Sequence, residues 1–169
     1  MTSSIICGVD DSESARGAAR VARELGARLR LRLVFIRVLE NGAGDDEVET
    51  VAARLRHLAD AATELDCGAH WLVDVGHPAD RLVAAAEAEN AALIVVGSTG
   101  PRSSLLGSIS ADVSRRAPCP VVVVAPGADR QLIDGREEPT GVRNGLNDID
   151  ERDFAGGIVR FSLGAGGKR

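Results

Sequence analysis

The chain has 169 residues, with 44% hydrophobic and 27% charged positions, which is enough length for one full core and short for two domains. Its formal net charge of −5 and its 2% aromatic content argue against a nucleic-acid partner, which needs basic patches and stacking platforms, and against an anionic membrane surface. No stretch approaches the ~20 apolar residues of a membrane span.

Ser4 to Val9 is a short apolar run and reads as a first strand. Asp10-Asp11-Ser12-Glu13 follows with N-cap residues and early acids, opening a helix to about Arg28. Ala15, Ala18, Ala19, Ala22 and Leu25 share one face of it. Leu31 to Leu39 reads as a second buried strand, and Asn41 to Asp45 as a loop. A long helix is predicted from about Glu47 to Leu65, with Val48, Val51, Leu55, Leu58, Ala62 and Leu65 as its stripe. Ala69 to Val75 is a third strand, with Trp71 read as core. Pro78 suits the first turn of the next helix, Ala79 to Asn90. Ala91 to Val96 and Val121 to Val124 are the fourth and fifth strands, with Ile109 to Arg116 a helix between them.

Apolar strands alternating with helices predict an α/β fold: a five-stranded parallel sheet with helices on both faces, built from right-handed crossovers. Such sheets hold ligands beyond the carboxyl ends of their strands, where strand order reverses. After Pro126 the periodicity stops. Residues 1–127 are therefore read as the domain and 128–169 as a mobile C-terminal extension. Within it, only Gly157 to Leu163 alternates enough to add as a strand, and disorder is the favoured expectation there.

Cys7, Cys67 and Cys119 are odd in number and widely spaced, without a C-x-x-C, so neither a disulfide framework nor a zinc site is expected. Met1-Thr2-Ser3-Ser4 lacks a basic leader region, and a reducing cytoplasm is the expected location. The only lysine is Lys168, so the globular part has no Walker-type phosphate lysine and no Schiff-base chemistry. His57 and His70 show no ligand spacing; His77, beside Pro78, falls on the same rim as the strand ends.

The stretch that carries most information is Gly97-Ser98-Thr99-Gly100-Pro101-Arg102-Ser103-Ser104-Leu105-Leu106-Gly107-Ser108, a glycine- and hydroxyl-rich turn from strand to helix. Its backbone N–H groups and the helix dipole favour a phosphate or another anion. Asp10 lies just past a strand end on the same rim, either as a cap or as a ligand contact. Arg102 is a candidate phosphate contact through its guanidinium, or simply a solvated loop charge.

At these residues the chain resembles the universal stress protein family over about residues 4–126. The resemblance rests on Val9-Asp10-Asp11-Ser12, Leu33-Val34-Phe35-Ile36, Gly97-Ser98-Thr99-Gly100, Gly107-Ser108-Ile109-Ser110 and Ala117-Pro118-Cys119-Pro120 leading into Val121 to Val124. ATP-binding members carry Gly-x2-Gly-x9-Gly-Ser/Thr. Here six residues separate Gly100 from Gly107, which removes up to ~10 Å of extended chain and tightens the loop.

The resemblance implies an open doubly wound fold of the adenine-nucleotide α-hydrolase-like type. The implied ligand is an adenine nucleotide (ATP, AMP or cyclic AMP), with or without Mg. Asp10 and Ile36 would line the base and ribose end, beside the backbone of Gly8 and Val9. Gly97, Thr99 and Gly100 would lie by the ribose and phosphates, and Gly107, Ser108, Ile109 and Ser110 would donate to phosphate oxygens. It also implies a homodimer through Val121 to Val124, an apolar strand expected at the sheet edge, where unpaired groups invite another chain. The implied role is a stress-response binding protein rather than a fast enzyme. A nucleotide-free interaction protein of the same fold and a slow ATPase stay open as alternatives; the lack of aromatic loop residues disfavours a flavodoxin-like carrier.

Overall fold

A computed structural model describes residues 3–63, 68–98, 107–128 and 160–162. In chain order the elements are β1 (Ser4–Gly8), α1 (Glu13–Leu29), β2 (Arg32–Leu39), α2 (Asp45–Thr63), β3 (Ala69–Val75), α3 (Pro78–Ala88), β4 (Leu93–Gly97), α4 (Ser108–Arg116), β5 (Val121–Val124) and β6 (Arg160–Ser162). The sheet order is β3-β2-β1-β4-β5-β6. The first five strands are mutually parallel, as the alternating pattern predicts. Strand order reverses between β1 and β4, so the sheet's crevice opens at Gly8 and Gly97.

Side-chain alternation divides the core into two layers. On one face Ile5, Cys7, Leu33, Phe35, Val95 and Val122 pack under Ala18 and Ala22 of α1 and Leu55 and Ala59 of α2. On the other, Ile6, Val34, Ile36, Ile94, Val96 and Val123 pack under Leu82 and Ala86 of α3 and Val113 of α4. Cys7 is fully buried, and burial pushes its thiol far up, so it behaves as a small apolar residue.

Local chemistry explains the helix starts. Ser12 is the N-cap of α1, its hydroxyl accepting from the Ala15 N–H at 3.1 Å. Pro78 opens α3, where its missing N–H needs no partner.

Three expectations are corrected. β5 is not the sheet edge, because β6 pairs with it antiparallel in the register Val121↔Ser162, Val122↔Phe161 and Val123↔Arg160. The segment Gly157 to Leu163, expected to be disordered, thus contributes a docked strand at Arg160–Ser162. The physical reason is β5 itself: four buried valines present a ladder of backbone groups that an extended segment can satisfy. Trp71 is half-buried rather than core, with the Arg56 guanidinium 5.6 Å above its ring. The end of the predicted long helix, at Leu65, and the rest of the extension lie outside the described residues. No helix among the described residues is long and apolar enough to cross a membrane.

The tightest point of the fold is at Gly97. A Cβ there would lie 2.6 Å from the Ser14 carbonyl carbon and 2.7 Å from the Ala15 nitrogen, because the first turn of α1 crosses directly over the end of β4. Backbone cannot yield as a side-chain tip can. Gly97→Ala is expected to destabilise the protein by roughly 1–3 kcal/mol, read as a lower urea midpoint at an unchanged slope. A midpoint equal to the parent protein's would contradict this crossing.

Candidate functional site

The strand ends at the reversal point enclose a cavity of about 80 Å³, lined among others by Gly8, Val9, Asp10, Ile36, Gly97 and Ile109. These are half of the candidate residues read from the sequence, and they come from four separate segments. Its apolar walls include Val38, Leu82 and Val96. Those three were missed as site residues because their apolar character reads only as core.

Glycine at position 8 keeps the floor open. A Cβ there would meet both Leu82 methyls at 3.1 and 3.2 Å and a Val96 methyl at 3.3 Å. Val9 is held by its N–H donating to the Ile36 carbonyl at 2.9 Å, which extends the β1–β2 ladder into the site. Asp10 is exposed, and its Oδ1 accepts from the Ser12 N–H at 2.8 Å. Asp10 therefore braces the turn that delivers Ser12 to its capping role, and it lines the cavity as well.

The opposite wall is the start of α4. Gly107 is its N-cap, and among the described residues no side chain caps it. The first helical bond runs from the Ala111 N–H to the Gly107 carbonyl at 2.9 Å. The N–H groups of Ser108, Ile109 and Ser110 therefore lie ahead of the helical ladder, at the positive end of the dipole.

The Ser110 hydroxyl departs from expectation. It is buried and donates to the Gly107 carbonyl at 3.0 Å, and the Ser114 hydroxyl in turn donates to the Ser110 carbonyl at 2.7 Å. Its proton serves the helix start rather than an outside anion, which leaves the backbone N–H as the contribution of Ser110. Ser108 is exposed beside it. Thr99, Gly100 and Arg102 lie outside the described residues.

His77 does not line the cavity. It precedes α3 as the N-cap residue, with Nδ1 3.9 Å from Asp80 Oδ2, and it forms a group with Asp80 and Asp112. That group already holds a cation. Arg116 Nη1 donates to Asp80 Oδ1 at 2.6 Å and to Asp112 Oδ2 at 3.0 Å, and Arg115 Nη2 donates to Asp112 Oδ1 at 2.8 Å. The hydrogen bonds from Arg115 and Arg116 hold the Asp112 carboxyl below its ordinary range. The cluster ties α3 to α4 and has the character of a surface ion network.

The model of the universal stress protein family matches residues 1–125. A universal stress protein solved in complex with cAMP is similar at 27% identity and a TM-score of 0.62, over 73% of this chain and 97% of that one. The universal stress protein from Archaeoglobus fulgidus in complex with dAMP is similar at 23% identity and a TM-score of 0.61, over 72% and 96%. A family protein from Arabidopsis thaliana with AMP bound is similar at 20% identity and a TM-score of 0.59, over 76% and 95%. The last two speak to the fold alone. A search of curated proteins finds no match. The reversal-point cavity, the glycine-bounded strand-to-helix turn and the family match over residues 1–125 lead to one conclusion: the chain belongs to the universal stress protein family.

Proposed function

We propose that the protein binds an adenine nucleotide at the β1/β4 reversal point and acts as a cytoplasmic stress-response or signalling component. The observation that carries the reading is the meeting of an apolar cavity at Gly8, Val9 and Ile36 with the start of α4, which no side chain among the described residues caps. A flat base suits the first and a phosphate the second. At 80 Å³ the cavity has room for one end of a ligand, with the rest toward Gly97 and Ser108. The relative solved with cAMP supports a mononucleotide. The short Gly100 to Gly107 loop favours the same size, having less chain to cover a triphosphate. In this reading Asp10 and Ile36 flank the base and ribose, and Gly97, Thr99, Gly100, Arg102, Gly107, Ser108, Ile109 and Ser110 surround the phosphate. Mg accompanies ATP if that is the ligand. The nucleotide-binding unit is residues 1–127.

Calorimetry with AMP, cyclic AMP and ATP tests the proposal. Saturable binding of at least one is expected, and Ser108→Glu is expected to weaken it about tenfold or more. A glutamate in the first turn is favourable to the helix, so the loss would come from repulsion of the phosphate and not from unfolding. Flat traces with all three nucleotides would contradict nucleotide binding and favour an interaction protein. Release of phosphate from ATP above the Ser108→Glu background would favour the slow ATPase.

The homodimer through Val121 to Val124 belongs to the same proposal. Because β6 occupies that side of β5, another chain pairs there only when β6 leaves. Phe161→Pro removes the N–H of the residue opposite Val122 and is expected to raise the dimer fraction in light scattering. A variant that stays monomeric at micromolar concentration contradicts this dimer.

A further inference from the structure

The α1–α2 side of the same rim carries a second cleft, larger than the nucleotide cavity. Its volume is about 540 Å³, within the range of small-molecule sites. Val9, Val51, Leu55 and Leu58 supply apolar lining. Three guanidiniums from three elements gather on it: Arg16 of α1, Arg37 near the end of β2 and Arg54 of α2.

All three engage one short residue. Arg54 Nη1 lies 2.9 Å from Asp11 Oδ1, Arg37 Nη2 lies 3.4 Å from Asp11 Oδ2, and Arg16 Nη1 donates to the Asp11 carbonyl at 3.2 Å. The Asp11 side chain itself is 72% exposed. The Nε of Arg37 is closed to solvent and has no hydrogen-bond partner among the described residues. A buried donor left in that state is unfavourable. The remaining charged or titratable lining groups are Asp10, whose Oδ1 is taken by the Ser12 N–H, and His57. Three guanidiniums therefore face two carboxylates, one of which also holds a backbone N–H. Exposed ion pairs of this kind add little to stability, so holding α2 in place is a weak reason for gathering three arginines.

We propose that this cleft is a binding site for a small organic monoanion: a carboxylate on an apolar body. The carboxylate exchanges with the Asp11 side chain for the guanidiniums of Arg37 and Arg54, which suit it as paired donors. The apolar body lies against Val51, Leu55 and Leu58. A net excess of one positive charge suits a monoanion better than a phosphate dianion. This site does not rest on the nucleotide reading, although Val9 and Asp10 border both clefts.

Octanoate titrated into the full-length protein without nucleotide tests the proposal, by calorimetry and amide NMR together. One-to-one binding is expected, with shifts centred on Val51, Leu55 and Leu58 of α2. 1-Octanol and inorganic phosphate, each holding half of the chemistry, are expected to bind at least about tenfold more weakly. Arg54→Gln, at an exposed position, is expected to weaken octanoate about tenfold. Asp11→Asn removes the internal competitor and is expected to tighten it about threefold, a gain that a merely structural ion pair would not produce. The site is overturned by an absence of octanoate binding at millimolar concentration, by equal binding of octanol and octanoate, or by weaker binding by Asp11→Asn. Shifts confined to Ser108 and Ile109 would also overturn it by assigning the anion to α4. Nucleotide binding can fail without affecting any of these readouts.

Discussion

The crossing of α1 over Gly97 is the constraint on which the rest of the rim depends. β1 and β4 are neighbours in the sheet but far apart in the chain, and α1 leaves one of them and lies against the end of the other. A methyl group on residue 97 would meet the Ser14 and Ala15 backbone below 3.0 Å. With hydrogen there instead, α1 can start directly at the sheet's reversal point. That start sets the Asp10–Ser12 turn, the Ser12 cap and the wall contributed by Ala15. The same turn also carries Asp11, around which the arginines of the second cleft gather. One backbone contact thus positions both clefts, one on each face of the sheet.

Chemically the two clefts are different. The smaller joins an apolar cavity to backbone N–H groups at a helix start, whose partial charges are permanent and need no side chain to be ordered. The larger relies on side-chain guanidiniums that pair with an aspartate of the chain itself. The first is organised in advance by the fold. The second must give up an internal ion pair before it accepts a guest, which favours exchange over tight retention.

Much of the architecture was legible in the residues, for definable reasons. Val, Ile and Leu runs at Ile5–Cys7, Leu33–Ile36 and Val121–Val124 are strands buried on both faces, and their alternation with amphipathic helices leaves few parallel topologies. Asp10 and Gly97 could be anticipated because strand ends and glycine turns mark the rim, whereas Gly8, Val9, Ile36 and Ile109 followed from the family resemblance. What escaped depended on contacts distant in sequence. β6 is three residues long; its alternation was visible in the sequence, but the open ladder it joins belongs to β5, some forty positions earlier. The Ser110 hydroxyl looks like a ligand donor in one dimension, and only the folded turn shows the Gly107 carbonyl within its reach. Arg16, Arg37 and Arg54 form no local motif; two helices and a strand bring them to one carboxylate. Trp71 was read as core; it does pack against the core, but β3 is an edge strand and leaves it half-covered.

In the proposed function, backbone amides at the β1/β4 reversal point and at the α4 start converge on one adenine nucleotide. An amide-resolved NMR titration of the full-length protein with AMP tests this convergence. Gly8, Val9, Gly97, Ser108 and Ile109 are expected to shift together along one saturable curve while the α2 amides stay still. Resonances that remain unmoved at millimolar AMP, or shifts that avoid both β1 and the start of α4, would contradict it.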